Sequence, residues 1–311
     1  LSLVQARVYA EPDGVSALRL RFTGGSTAEW QRLSLSSLPL YLNGDMLLAS
    51  LLHLYLTRRV AQAFIRMPGS MDRAPLALRF RASAFDTDAH LWDVEKSEFR
   101  GYQHLLEYFT FREKFMFVSL EGLEQVTWPE TVPWFELELR FTHAWPSEFS
   151  VSEENLRLHC VPVVNLFRLD ARPLAVNAEQ TEYRLQPLRE ENIHTEIFAV
   201  DSVAASFEED APRYTPFLIF QQQGGMLRHE RPPRYFHTRV HRGPSGRTET
   251  WLILGGEEFE RERLLLDEPL ALSIIGTNGS LPRMALESML LEQLAGTPQT
   301  PVRVRNLCQP S

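Results

Sequence analysis

Few residues in this chain have the types and spacing that chemistry needs. His237 and His241 stand four apart, the interval at which a helix offers two imidazoles to one metal ion. They lie in Arg234–His241 (RYFHTRVH), which alternates like a strand. Four strand residues span about 13 Å, too far for one ion. Gly243–Thr248 (GPSGRT) has the glycines of a phosphate loop but lacks its lysine and spacing. A turn between two strands accounts for it. Paired acids at Glu153–Glu154, Glu190–Glu191, Glu208–Asp210 and Glu257–Glu258 are the material of general acid–base catalysis. Each sits beside turn signals, where solvated carboxylates are the rule. Cys160 and Cys308 form neither a C-x-x-C pair nor a zinc spacing, and read as reduced structural thiols. There is no G-x-S-x-G elbow, Walker loop, G-x-G-x-x-G or H-E-x-x-H. The residues therefore predict no enzyme, no cofactor and no metal.

One segment carries a charge anomaly. Leu227–Arg247 holds Arg228, Arg231, Arg234, Arg239, Arg242 and Arg247 against the single acid Glu230. An exposed hairpin explains this, and so does a docking patch for an acidic protein surface, with Arg231, Arg234 and Arg239 as its carriers. Nucleic acid is disfavoured because the chain's net charge is −8. Acids outnumber bases in both halves, 18 to 15 in residues 1–150 and 22 to 17 beyond. The bases comprise 30 Arg and 2 Lys, a bias that genome composition or a surface of forked carboxylate contacts would produce.

The elements that must position these residues are mostly strands. At 311 residues, 44% of them hydrophobic, the chain can bury two cores. Residues 1–9 and 16–22 alternate around a turn at Pro12–Gly14. A strand region over 33–42 leads to Asp45, a helix cap, with Leu48, Leu51, Leu52 and Tyr55 as the apolar face down to Val60. Trp134–Phe141 (WFELELRF) alternates strictly, and 145–152 reads as a turn region. Leu156–Phe167 is apolar but interrupted by Pro162, which predicts an edge or kinked strand. Further strands are expected near 181–186, 196–203, 216–222, 234–241, 249–254 and 270–276, with a helix near 284–294. The expected architecture is β-rich α+β, in two lobes of mainly antiparallel strands. Residues 1–148, with helices near 45–60 and 101–111, form the first lobe, and residues 149–311 the second. No apolar run approaches the ~18–20 residues that span a bilayer. The opening LSLVQARVYA lacks a signal-peptide pattern and starts in a strand, as an excised piece of a longer protein would.

The densest segment is Gly101–Leu120 (GYQHLLEYFTFREKFMFVSL), with seven aromatics between Phe99 and Phe117. Tyr102, Leu105, Leu106 and Phe109 recur at helical intervals, and Phe115 to Leu120 alternate as in a buried strand. So aromatic a corner anchors a core or an interface. Its aromatics are expected to anchor the first lobe.

This segment resembles a signature of the TssF family of type VI secretion baseplate proteins, Gly-Tyr-x-Leu-Leu-x-Glu-Tyr-Phe-x-Phe-Pro-Glu-Lys-Phe, with Arg112 in place of the proline. Further segments match the family in order: LPLYLNGD (38–45), CVPVVNLF (160–167), TEYRLQP (181–187), EIFAVDSV (196–203) and TNGSLP (277–282), the last departing at Gly279 and Ser280. The resemblance implies the central region of a longer scaffold protein. It implies interaction or structural roles for Gly101, Tyr102, Phe109, Phe115, Cys160, Pro162, Asn165, Phe167 and Tyr183. The implied partners are TssG, a second TssF copy, TssK and TssE, around the VgrG spike, with VgrG and the sheath as further contacts. The implied place is cytoplasmic, docked at the inner face of a Gram-negative cell envelope without insertion in the membrane. A β-rich hydrolase or a carbohydrate-binding module is the competing reading, and would need converging carboxylates or an aromatic platform.

Overall fold

The Trp134–Phe141 run is a strand, as its alternation predicts, and lies between two other strands. Phe135, Leu137, Leu139 and Phe141 are buried on one face, and Phe135 stacks on Phe22 with ring centroids 4.9 Å apart. The opposite face carries Glu136 and Glu138, which are covered by Arg19, Arg21 and Arg73. The computed structural model describes the chain apart from residues 25–34, 70–72, 87, 93–99, 131, 178, 189–193, 209, 218–221, 224–225, 228–233, 245, 263–268, 287–303 and 311.

The described elements are strand-rich and mainly antiparallel, an α+β fold with a few short helices. The chain divides into two compact units, Leu1–Val163 and Val164–Ser311. The first contains β1 (Ser2–Ala10), β2 (Ser16–Thr23), β3 (Ser37–Leu42), α1 (Met46–Leu54), β4 (Val60–Arg66), β5 (Ala74–Pro75), β6 (Arg79–Ala82), α2 (Arg100–Thr110), β7 (Phe117–Glu121), β8 (Trp134–Phe141) and β9 (Leu156–Arg157). One sheet runs β1-β2-β8-β4-β5 and another β6-β7-β3-β9, all antiparallel. Leucines and aromatics from both sheets share a core with Leu48 and Leu52 of α1. Asp45 caps α1 by accepting the Leu48 N–H at 2.8 Å.

Three details depart from the sequence reading. The helix expected down to Val60 ends its α-turns at Leu54, widens into a π-turn over Tyr55–Arg59, and yields to β4 at Val60, which pairs with Phe141. Phe115 belongs to a 3-10 turn, Arg112–Met116, and the strand starts only at Phe117. The apolar run 156–167 pairs at its two ends only. His159 takes a positive φ of 59°, and Val161, Pro162 and Val163 lie exposed. A proline without an N–H and a left-handed residue together take that segment off both sheets.

The second unit contains β10 (Phe167–Asp170), β11 (Glu182–Arg184), β12 (Glu196–Ala204), β13 (Arg213–Pro216), β14 (Gln222–Gln223), β15 (Met226–Leu227), β16 (Tyr235–Arg242), β17 (Thr248–Gly255), α3 (Glu257–Glu262), β18 (Ala271–Thr277) and α4 (Leu281–Ala285). Seven strands form one sheet in the order β10-β18-β12-β13-β16-β17-β11, while β14 and β15 pair alone. Among the described residues, only β13 and β16 run parallel within it. The helix expected near 284–294 lies, beyond its first residues, outside the described residues. No helix among the described residues is long and apolar enough to cross a membrane.

Candidate docking interface

Helix α2 is seated with its polar side inward. Gln103 and Glu107 are buried, while Tyr102, Leu105, Leu106 and Phe109 of the apolar stripe are 74%, 56%, 57% and 82% exposed. The stripe is on one face, as its spacing predicts, but that face points away from the core. Tyr102 and Phe109 therefore do not anchor the first unit. Phe115 is itself buried, at 8% exposure, with Phe85 tilted and Tyr108 edge-on against it at 5.5 and 5.4 Å. Gly101 is half-buried in the first turn of the helix.

The inversion has a local cause. Phe111 leaves the helical region at φ −146°, ψ 77°, and the chain tightens into the Arg112–Met116 turn. This swings Lys114 back under α2, where its ammonium donates to Glu107 Oε2. Both side chains are almost wholly buried, 2% and 0% exposed. Glu107 Oε1 also accepts from the Leu91 N–H at 2.9 Å and from Gln103 Nε2 at 3.2 Å. Gln103 Nε2 also lies 2.7 Å from the Trp92 carbonyl. Burial pushes the Glu107 carboxyl up, but the hydrogen bonds from Lys114 and Leu91, and then the Lys114 charge, outweigh it and hold the group below the usual glutamate range. A buried carboxylate and ammonium must stay together, so the pair dictates which face of the helix is covered. Sequence reasoning missed both residues. The available signal was a lone acid in the apolar helix and one of two lysines in the chain, seven positions on.

His90 and His104 stack above this pair with ring centroids 4.7 Å apart, and His90 Nδ1 is 3.5 Å from Glu107 Oε1. One ligand atom from each of His90, His104 and Glu107 lies within 4.8 Å of the others. The carboxylate is nevertheless already neutralised by Lys114, whose charge would oppose a second cation at the same oxygen pair. The chemistry this cluster supports is support of a helix.

The other candidate residues are spread over the fold. In the second unit, Asn165 Nδ2 donates to Thr277 Oγ1 and Asn165 Oδ1 accepts from Asn278 Nδ2, both at 2.9 Å. Phe167 opens β10 opposite Gly276, where a Cβ would stand 3.2 Å from the Phe167 ring and 2.5 Å from Leu169. Tyr183 is buried, its hydroxyl 2.9 and 3.0 Å from the carbonyls of Asn177 and Gln180. Cys160 is half-buried and Pro162 exposed. Arg234 pairs with Glu258 and Arg239 with Glu182, each at 2.6 Å, so acids of the same unit meet their charges. Arg231 lies outside the described residues. His237 and His241 are both on β16, opposite Ile253 and Glu249. Between β16 and β17, where the turn is expected, the Gly243 N–H donates to Arg247 O at 2.8 Å, while Ser245 lies outside the described residues. Arg112, where the resembled signature has proline, opens the 3-10 turn, the position where a proline's missing N–H costs nothing, and its guanidinium lies 3.8 Å from Glu113.

The fold and this site together define a strand-rich module with an apolar helix face on its surface. Its most distinctive surface is an aromatic helix face, and the buried acids resolved on its sheet and under its helix are tied to bases. The family model described as "Type VI secretion system, TssF" matches residues 1–311, and the chain belongs to that family. It is 28% identical over 233 residues to type VI secretion system component TssF1 of Pseudomonas aeruginosa, an alignment covering 74% of this chain and 37% of that protein. All of the chain superposes on 56% of a chain of a TssK-TssF-TssG baseplate subcomplex solved by cryo-electron microscopy, at 44% identity and a TM-score of 0.82. It also superposes on 53% of a chain of a type VI secretion baseplate complex, at 40% identity and a TM-score of 0.60. The chain thus spans roughly a third to just over half the length of these relatives.

Proposed function

We propose that this chain is the central part of a non-enzymatic baseplate component of a type VI secretion machine. Its work is to hold neighbouring subunits in place. The observation that carries this reading is the whole-chain superposition, at 44% identity, on a chain solved within a TssK-TssF-TssG subcomplex. TssK and TssG are the first partners it implies. A second TssF copy, TssE, the VgrG spike and the sheath complete the assembly we infer, on the cytoplasmic side of the envelope.

The geometry supports a binding role over a catalytic one. Glu136 and Glu138, which share one face of β8, spend their charges on Arg19, Arg21 and Arg73. Exposed aromatic and leucine side chains in one stripe are instead what an assembly surface needs. Co-expression of the whole protein with TssG and TssK, followed by affinity purification and size-exclusion chromatography, tests the reading. A joint complex is expected. A whole protein that enters a complex with neither partner overturns it.

A further inference from the structure

We propose that the Tyr102–Phe109 face of α2 is the seat for an uncharged, apolar helix face of a different baseplate subunit. The proposal rests on the baseplate reading and adds to it a surface and the chemistry of its occupant.

Three observations select that occupant. The first is shape. Tyr102, Leu105, Leu106 and Phe109 form a single straight ridge over two turns, about 10 Å long at ~1.5 Å per residue. Such a ridge fits the groove between side-chain rows of another helix. The second is charge. Between Gly101 and Phe111 the only acid is Glu107, which is buried on the opposite side, and there is no Lys or Arg. A phosphate, a lipid headgroup or an acidic peptide would find no cation on the stripe. A charged partner would lose its hydration there without compensation. The third is area. Tyr108, 49% exposed, lies edge-on to Phe109 at 5.7 Å and adds to the set. At ~150–250 Å² per aromatic side chain, the exposed part of the set amounts to several hundred Å². That approaches the ~800 Å² per partner of a standard interface and exceeds scattered surface apolarity.

The face is also held ready. Glu107 and Lys114 fix the helix from below, so docking would not need to order it first. A hetero-partner is taken as the occupant because TssK and TssG are the proteins with which the 44% identical chain was solved; a second copy and the rest of the protein's own chain are outcomes of the test.

The test uses the whole protein with TssG and TssK. The wild type is compared with Leu105→Glu/Phe109→Glu in co-purification and in titrations against each partner. A loss of at least tenfold in affinity for one partner is expected, with the thermal unfolding profile unchanged. Should that variant fail to fold, Tyr102→Ser/Phe109→Ser, which adds no charge, replaces it under the same criterion. A photo-crosslinking benzoylphenylalanine at position 109 then reports the occupant. The expected crosslinks fall on apolar residues three or four apart in one partner. Crosslinks to a second copy, to the same chain or to lipid overturn the proposal, as does undiminished binding by the variant. If the wild type itself binds neither TssG nor TssK, the baseplate reading fails. If it binds both and the variant binds equally well, only the α2 assignment fails.

Discussion

The carboxylate of Glu107 and the ammonium of Lys114, seven residues apart, meet in a buried ion pair across the break between α2 and the turn that follows it. Each is covered only because the other is there. The apolar ridge of α2 faces outward as a consequence, and the docking surface depends on a contact on the far side of its own helix.

Removing one partner should expose this dependence. Lys114→Met leaves a buried carboxylate without its counter-charge and is expected to destabilise the first unit by about 3 kcal/mol or more. Lys114→Met combined with Glu107→Leu should recover much of that loss, since it replaces the pair by apolar volume. Urea denaturation of the four proteins of the cycle gives the coupling. A double-variant loss equal to the sum of the two single losses would show the pair to be incidental.

Acid should act on the same contact. The folded-state pKa of Glu107 lies below its unfolded value. Its contribution is therefore fully present above the unfolded glutamate pKa, about 4.3, and is lost as pH falls through the lower folded value. Chemical denaturation repeated from pH 7 down to pH 3 should show that loss, and Glu107→Gln should flatten that part of the profile. An unchanged acid limb in Glu107→Gln would assign the titration to other carboxylates.

Gly122 is fixed by backbone conformation and by space. Its φ is 104°, and an added Cβ would stand 2.3 Å from the Ala77 carbonyl oxygen. Gly14 has a similar φ of 83° with nothing within 4 Å. Gly122→Ala should therefore cost more than Gly14→Ala, about 3 kcal/mol or more against about 1–2 for the left-handed backbone alone. Paired thermal melts decide it, and equal shifts in Tm would contradict the close approach.

In the second unit, Asn165 joins two segments that are far apart in sequence by donating to Thr277 and accepting from Asn278. Asn165→Ala should lower that unit's stability by about 1–2 kcal/mol and speed amide exchange around 277–278. Asn165→Asp keeps the acceptor for Asn278 and loses the donor to Thr277, so its effect should be smaller. Unaltered exchange in Asn165→Ala would show the contact to be dispensable.

Much of this was legible in the residues themselves. Alternation in Trp134–Phe141 defined a strand to the residue, because a pleat with one buried face enforces a period of two. The 3.6 period at Tyr102, Leu105, Leu106 and Phe109 defined a helix with one apolar face. The ordered segments pointed to the family that the whole chain matches.

Which way α2 faces was beyond the sequence. Periodicity states that a helix has two unlike sides, and burial of the apolar side is only the usual outcome. Here the polar side is covered, since Lys114 reaches Glu107 only after the chain breaks at Phe111 and folds back. The same holds for Arg234 and Arg239, whose acids come from α3 and β11. Local spacing determined most of the elements of this protein, and its ordered motifs pointed to the family. Its tertiary structure decided which charges are spent inside and which apolar face is left for a partner, because burying a charge depends on a counter-charge that only the folded chain brings within reach.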